Sequence, residues 1–172
     1  KRVALALEQT DIGSEGARGV REQLATYGLQ PVETVNFGAA DVDFSSQVLK
    51  LIQAKPDAVV IYSTLKPAAG FLKQAKVMGL NAKFATTYVN ADPIQMPALA
   101  GDACVGVVAP GWVPVLGNDA DSAKYLEIYQ ATYPKEMPSA FAAAGFIAGE
   151  VFTEGLKRAG KTPTRDGLIA AL

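Results

Sequence analysis

Strand-like and helix-like segments alternate along the first two thirds of this chain, and this order constrains its fold more than any other sequence feature. Short apolar runs predict strands at residues 3–7, 31–37, 58–62, 83–89 and 104–109. Amphipathic segments predict helices at residues 14–27, 66–78 and 93–99, and another from residue 43. This order, with short turns, predicts an α/β fold: a Rossmann-like parallel sheet with helices on both faces.

The last third of the chain has no strand-like run. After residues 110–114 the pattern predicts three helices, at residues 121–133, at 139–159 and from residue 164. We therefore predict a domain boundary near residue 112. The middle helix is apolar nearly all round near Phe141, Phe146 and Ile147, so it is expected to be buried against a large surface.

The composition excludes several kinds of site. The 172 residues include no histidine and one cysteine, which excludes histidine-based catalysis, zinc sites and an internal disulfide. That cysteine, Cys104, lies in an apolar run and is expected to be a buried, inert thiol. The net charge is −1, without the clustered basic surface that nucleic-acid binding needs. We expect no metal, no cofactor, no nucleic-acid partner, no transmembrane segment and no enzyme activity.

Glycines recur after the first predicted strand, at Gly13, Gly16 and Gly19. Their G-x-x-G-x-x-G spacing differs from the G-x-G-x-x-G that lets a backbone approach a pyrophosphate, so it favours packing of a helix on the sheet over phosphate binding. Acidic residues also lie near predicted strand ends and helix starts. Without a histidine or a metal cluster, they are interpreted as helix caps and solvated charges; they are Glu8, Asp11, Asp41 and Asp43.

Neutral polar side chains and one tyrosine follow the predicted strands at their carboxyl ends, where parallel sheets bind ligands. Such groups suit a pocket that holds a small polar ligand by hydrogen bonds, although each could equally cap the following helix. They are Thr10, Ser63, Thr64, Thr86, Thr87, Tyr88 and Asn90.

Several short motifs resemble those of one protein family over essentially the whole chain. They are K-R-V-A-L-A at residues 1–6, D-F-S at 43–45, P-D-A-V at 56–59, F-L-K-Q-A at 71–75, G-L at 79–80 and A-G-D at 100–102. Together they resemble the second lobe of type I periplasmic solute-binding proteins. The resemblance is greatest to the leucine/isoleucine/valine-binding branch, the receptors of branched-chain amino acid ABC transporters.

The resemblance implies two Rossmann-like lobes that close on a ligand by hinge motion. Residues 1–112 resemble the second, carboxy-terminal ligand-binding lobe. Residues 113–172 resemble the hinge crossover and helices of the first lobe, whose sheet is missing from the sequence. We therefore expect a fragment, or a chain that pairs with another. Because an apolar helix without its sheet tends to associate, a dimer or a swapped assembly is expected.

The resemblance also implies positions for the ligand site. In that family the second lobe contacts the ligand through an aromatic residue after the first strand, a pair of residues after the third and a carboxylate after the fourth. The matching positions in this sequence are Ile12, then Thr64 with Leu65, then Tyr88. We add Thr10 and Asn90 as polar contacts. The carboxylate that would hold a substrate ammonium is absent, which favours a neutral, aromatic or carboxylate compound over an aliphatic amino acid. The hinge is expected at Gly111 and Trp112.

The expected function is that of the extracytoplasmic solute-binding component of an ABC importer. Such a protein is periplasmic or extracellular, delivers its ligand to an ABC permease and is associated with the membrane through the transporter. The alternative is a ligand-sensing or regulatory domain on the same fold. An enzyme of doubly wound fold is disfavoured because no catalytic constellation is visible.

Overall fold

The computed structural model describes residues 1–111, 113 and 115–172. The chain forms two compact units, Lys1–Trp112 and Val113–Leu172. No helix among the described residues combines the length and the apolar character needed to cross a membrane.

The first unit is a parallel sheet wound by helices. Among the described residues it has four strands, β1 (Val3–Glu8), β2 (Glu33–Phe37), β3 (Ala58–Tyr62) and β4 (Lys83–Thr86). They are hydrogen-bonded in the order β2-β1-β3-β4, and every pair is parallel. This arrangement confirms the predicted α/β fold. In chain order the strands alternate with the helices α1 (Asp11–Thr26), α2 (Ser45–Ala54), α3 (Leu65–Val77) and α4 (Gln95–Ala100).

Both faces of the sheet are covered, which explains why its inner strands read as continuous apolar runs. On one face, Ala4, Ala6 and the rings of Phe37, Phe44 and Phe71 belong to the main core, to which α2, α3 and α4 also contribute. On the other face, Leu5 and Leu7 pack with Ala17 of α1. Alternate residues of β1 therefore serve opposite cores.

Two predictions about the end of this unit are wrong. Residues 104–109 do not form a fifth strand: a 3₁₀ turn occupies Gly101–Cys104, and only Val108 pairs with the sheet, through a single parallel bridge to Ala85. Gly106 has a φ of 81°, which interrupts extended backbone just before that bridge. Cys104 is half-buried rather than enclosed, and its Sγ lies 3.0 Å from the carbonyl oxygen of Gly101.

The close approach of α1 to the sheet explains the glycine pattern. The helix begins at Asp11, three residues before the predicted start. A Cβ on Gly13 would lie 1.9 Å from the carbonyl oxygen of Glu8, and one on Gly16 would lie 1.9 Å from Cδ1 of Tyr62. The predicted packing role is confirmed for these two glycines. A Cβ on Gly19 would meet nothing within 4 Å.

A glutamine joins the D-F-S and F-L-K-Q-A motifs. Gln74 Oε1 accepts a hydrogen bond from the N–H of Phe44 at 2.6 Å, and its Nε2 donates to Asp43 Oδ1 at 3.0 Å. The hydroxyl and the N–H of Ser45 also donate to Asp43. These hydrogen bonds lower the pKa of the Asp43 carboxyl. The Ser45 hydroxyl has the largest effect, followed by the Ser45 N–H and Gln74.

The second unit consists of α5 (Ala120–Thr132), α6 (Ala140–Ala159) and α7 (Arg165–Ala171). The Asp119 and Ser139 side chains accept N–H bonds at the starts of α5 and α6. Only part of α6 is covered: Ala140 and Ala143 are buried, whereas Phe141 is 53% exposed. The described residues do not supply the large surface that the sequence leads us to expect against α6, so burial against such a surface stays a prediction.

Candidate functional site

The strand order locates a crevice at the carboxyl edge of the sheet. From β1 the chain turns to β2 on one side, whereas β3 and β4 follow on the other side. The loops after β1 and β3 therefore diverge at a topological switch point, where open parallel sheets bind their ligands. The residues that meet across this point define the candidate site.

Glu8 and Thr64 bridge the switch point. Glu8 is the last residue of β1, and Thr64 lies between β3 and α3. The backbone N–H and the hydroxyl of Thr64 both donate to Glu8 Oε2, each at 2.7 Å. The Thr64 hydroxyl makes no cap bond to α3. Glu8 is only 2% exposed, so its carboxylate is a buried part of the site.

Asn90 extends this network from β3 to the end of β4. Its Nδ2 donates to the carbonyl oxygen of Ser63 at 3.1 Å and to Thr86 Oγ1 at 2.6 Å. Because a carbonyl can only accept, the bond to Ser63 fixes which end of the amide faces the protein. The Ser63 hydroxyl donates to the carbonyl oxygen of Thr64 at 2.9 Å. The ends of β1, β3 and β4 are thus held by one network.

Three buried oxygens at this edge have no hydrogen-bond partner among the described residues: Thr10 Oγ1, Thr87 Oγ1 and Asn90 Oδ1. Each unpaired buried group costs about 1–3 kcal/mol, so most proteins keep very few of them. All three lie in the loops after β1 and β4. Their concentration at the carboxyl edge is typical of a functional region, because functional sites retain locally unfavourable groups that the rest of a fold avoids.

A cavity of about 540 Å³ opens beside the end of β1. Glu8 and Thr10 line it together with Ser14 and Arg21 of α1 and Asn36 of β2. The cavity thus lies toward β2, whereas Thr64 and Asn90 lie toward β4. Among the described residues, no group of three or more histidine, cysteine or acidic residues is placed to hold a metal ion.

The structure brings some of the predicted site residues together and separates others. Thr64 and Asn90 share one network through Ser63. Ile12 on α1 and Tyr88 in a 3₁₀ turn are 40% and 53% exposed, whereas Leu65 packs against the main core. Gly111 is exposed, and Trp112 lies outside the described residues.

Glu8 is the residue that sequence reasoning missed. Its interpretation as a cap or a solvated charge is wrong, because its side chain is buried and accepts both donors of Thr64. One sequence feature could have indicated this: Glu8 ends an unbroken apolar run, at the edge where ligands bind.

Comparisons with known proteins agree with this architecture. A family model described as periplasmic binding protein matches residues 1–172. No curated protein matches the chain. A substrate-binding periplasmic protein from Ralstonia solanacearum is similar in structure, with a TM-score of 0.83 and 26% identity over 99% of this chain and 49% of the other.

Two further solved structures contain a bound small molecule. A branched chain amino acid ABC transporter from Thermus thermophilus with bound valine has a TM-score of 0.86 and 24% identity over 99% of this chain and 46% of the other. A solute binding protein of an ABC transporter from R. palustris in complex with benzoate has a TM-score of 0.82 and 24% identity, over 99% and 47%. The chain spans about half the length of these proteins.

Proposed function

The chain belongs to the periplasmic binding protein family, and from this premise we propose that it is part of the solute-binding component of an ABC importer. The protein captures a small metabolite between two lobes by hinge closure and passes it to an ABC permease. It works in the periplasm or outside the cell, at the membrane through its transporter. It performs no chemistry on the ligand.

The observation that carries this proposal is the hydrogen-bond network at the switch point. Glu8, Thr64, Ser63 and Asn90 link three strand ends where the fold binds ligands. The two similar proteins that contain valine and benzoate support a small organic ligand. Tyr88 occupies the position after β4 at which the resemblance implies a carboxylate for an ammonium group, so we propose a neutral, aromatic or carboxylate ligand.

We propose distinct roles for the site residues. Ile12 and Tyr88, both exposed at the carboxyl edge, form walls, and Leu65 supports them from the core side. Thr10, Thr64 and Asn90 provide polar contacts. The hinge lies at Gly111 and Trp112, where the second lobe, residues 1–112, gives way to the crossover and first-lobe helices in residues 113–172.

The apolar surface of α6 is proposed to be an association surface of this chain. Phe141, Ile147, Val151 and Phe152 are each about half exposed. Such exposed apolar side chains favour association, so we expect the 172-residue chain to form a dimer or a swapped assembly. Size-exclusion chromatography with light scattering measures its mass, and a clean monomer would contradict this part of the proposal.

A thermal-shift panel on the intact protein tests the function. A ligand that binds only the native state raises the unfolding midpoint in a concentration-dependent way. The panel consists of matched pairs, such as valine with 3-methylbutanoate, benzamide with benzoate, and hydroxy acids with keto acids. A concentration-dependent rise supports a solute receptor. No shift across the panel would count against a receptor for these compounds, and would favour the ligand-sensing alternative or a ligand of another class.

A further inference from the structure

The side chains of the network at the switch point retain unused hydrogen-bond acceptors, whereas their donors are bonded within the protein. We propose that Glu8 is a positioning residue that makes Thr64 an acceptor, so that the ligand group bound at Thr64 is an N–H or O–H donor. This inference rests on the proposed function, because it concerns the ligand of the same site.

The hydrogen bonds of Thr64 determine what this residue can offer a ligand. This residue has two donors, its backbone N–H and its hydroxyl, and Glu8 Oε2 accepts both at 2.7 Å. A hydroxyl has one proton and two lone pairs. With its proton directed at Glu8, Thr64 Oγ1 can only accept a further bond. Thr64 is half-buried, whereas Glu8 is only 2% exposed, so Thr64 is the more accessible member of the pair.

The neighbouring polar side chains likewise direct their hydrogen-bond donors to partners within the protein. The Ser63 hydroxyl donates to the Thr64 carbonyl, and the Asn90 amide nitrogen donates to Ser63 and Thr86. Their side-chain donors are therefore directed into the protein. Asn90 Oδ1 is left as an acceptor without a partner among the described residues.

The charge of Glu8 acts in the same direction. Among the described residues, no lysine or arginine nitrogen lies within 4.0 Å of the Glu8 carboxylate, because all the ion pairs there involve other carboxylates. A ligand carboxylate placed against Thr64 would therefore meet both a lone pair and a nearby buried negative charge. A neutral amide or hydroxyl group would meet neither obstacle. If the ligand carries a carboxylate, that group lies away from Thr64.

The test compares two matched pairs on the intact protein by isothermal titration calorimetry. Benzamide and 3-methylbutanamide each carry an N–H donor that benzoate and 3-methylbutanoate lack. Within each pair, we expect the donor compound to bind at least about tenfold more tightly, because it gains a hydrogen bond to a hydroxyl that is itself bonded to a carboxylate. The ratio of the two dissociation constants is the readout, because general damage to the fold weakens both members alike.

Three variants assign the preference to these residues. Thr64→Val keeps the shape but removes the hydroxyl, and should lower the ratio of the two dissociation constants, while the charge of Glu8 stays in place. Thr64→Ser should restore the wild-type ratio. Glu8→Gln keeps an oxygen that can accept from Thr64 but removes the charge, so the carboxylate compounds should gain affinity relative to their donor partners. Circular dichroism and the unfolding midpoint verify that each variant is folded.

The outcomes separate this inference from the proposed function. Wild-type protein that binds the carboxylate compounds as tightly as their donor partners overturns the inference and leaves the solute-receptor function standing. A ratio that Thr64→Val does not change has the same meaning. If no compound of the whole panel binds, the proposed function fails, and the inference fails with it.

Discussion

Replacing Gly16 by alanine should loosen the contact between α1 and the sheet. The new Cβ would lie 1.9 Å from Tyr62 Cδ1 and 2.3 Å from its Cγ. Carbon atoms in contact are ordinarily about 3.5–4.0 Å apart, so one of the two must move by about 1.5 Å. Rotation of the ring about the Cβ–Cγ bond leaves Cγ in place and cannot relieve the contact. Either the Tyr62 side chain changes its rotamer or α1 moves outward.

The same substitution at Gly19 provides the matched control. Gly19 lies on the same helix, is exposed, and a Cβ there would meet nothing within 4 Å. Gly19→Ala should raise the free energy of unfolding by about 0.5–1 kcal/mol, because alanine loses less backbone entropy in a helix. Gly16→Ala obtains the same gain but incurs about 1–3 kcal/mol or more from overpacking. The two variants should therefore differ by roughly 2 kcal/mol.

Urea unfolding of the intact protein, followed by circular dichroism, measures this difference. A Tyr62→Ala background completes the cycle: without the ring, Gly16→Ala should become neutral or stabilising. The reasoning would be refuted if Gly16→Ala matched Gly19→Ala in the wild-type background. It would also be refuted if removal of the Tyr62 ring did not change the effect of Gly16→Ala.

Three further predictions concern the motif junction and the site. Gln74→Ala should lower the free energy of unfolding by about 1–3 kcal/mol in urea, because it leaves a buried main-chain N–H without its acceptor; Lys73→Ala, at an exposed neighbour, should change it little. The pKa of Asp43 is lowered in the folded state, so its stabilising contribution is present above the unfolded pKa and is lost as the pH falls through the folded one. Asp43→Asn should therefore flatten the decline in stability below about pH 4 in urea titrations at successive pH values. Tyr88→Ala should weaken binding of the tightest panel compound about fivefold to tenfold, whereas Tyr27→Ala, at another exposed tyrosine, should not; unchanged affinity would remove Tyr88 from the site.

The architecture of the first unit could be predicted because the fold depends on averages over many residues. The apolar run of β1 and the periodicity of α3 each combine several side chains, so one unusual residue does not hide the pattern. The predicted strand at residues 104–109 failed for the opposite reason. Its composition suits a strand, but the positive φ of Gly106 decides the local path, and a single glycine does not reveal its φ in the sequence.

The candidate site was predicted less completely, because its chemistry depends on pairs of residues distant in sequence. Sequence reasoning could place Thr64 and Asn90 at the carboxyl edge, since both follow strands. It could not show that Thr64, 56 positions from Glu8, gives that carboxylate both of its donors. The missing fact changes the chemistry of the site. A threonine considered alone can donate or accept, whereas a threonine held by a buried carboxylate can only accept, and the preference for a ligand follows from that difference.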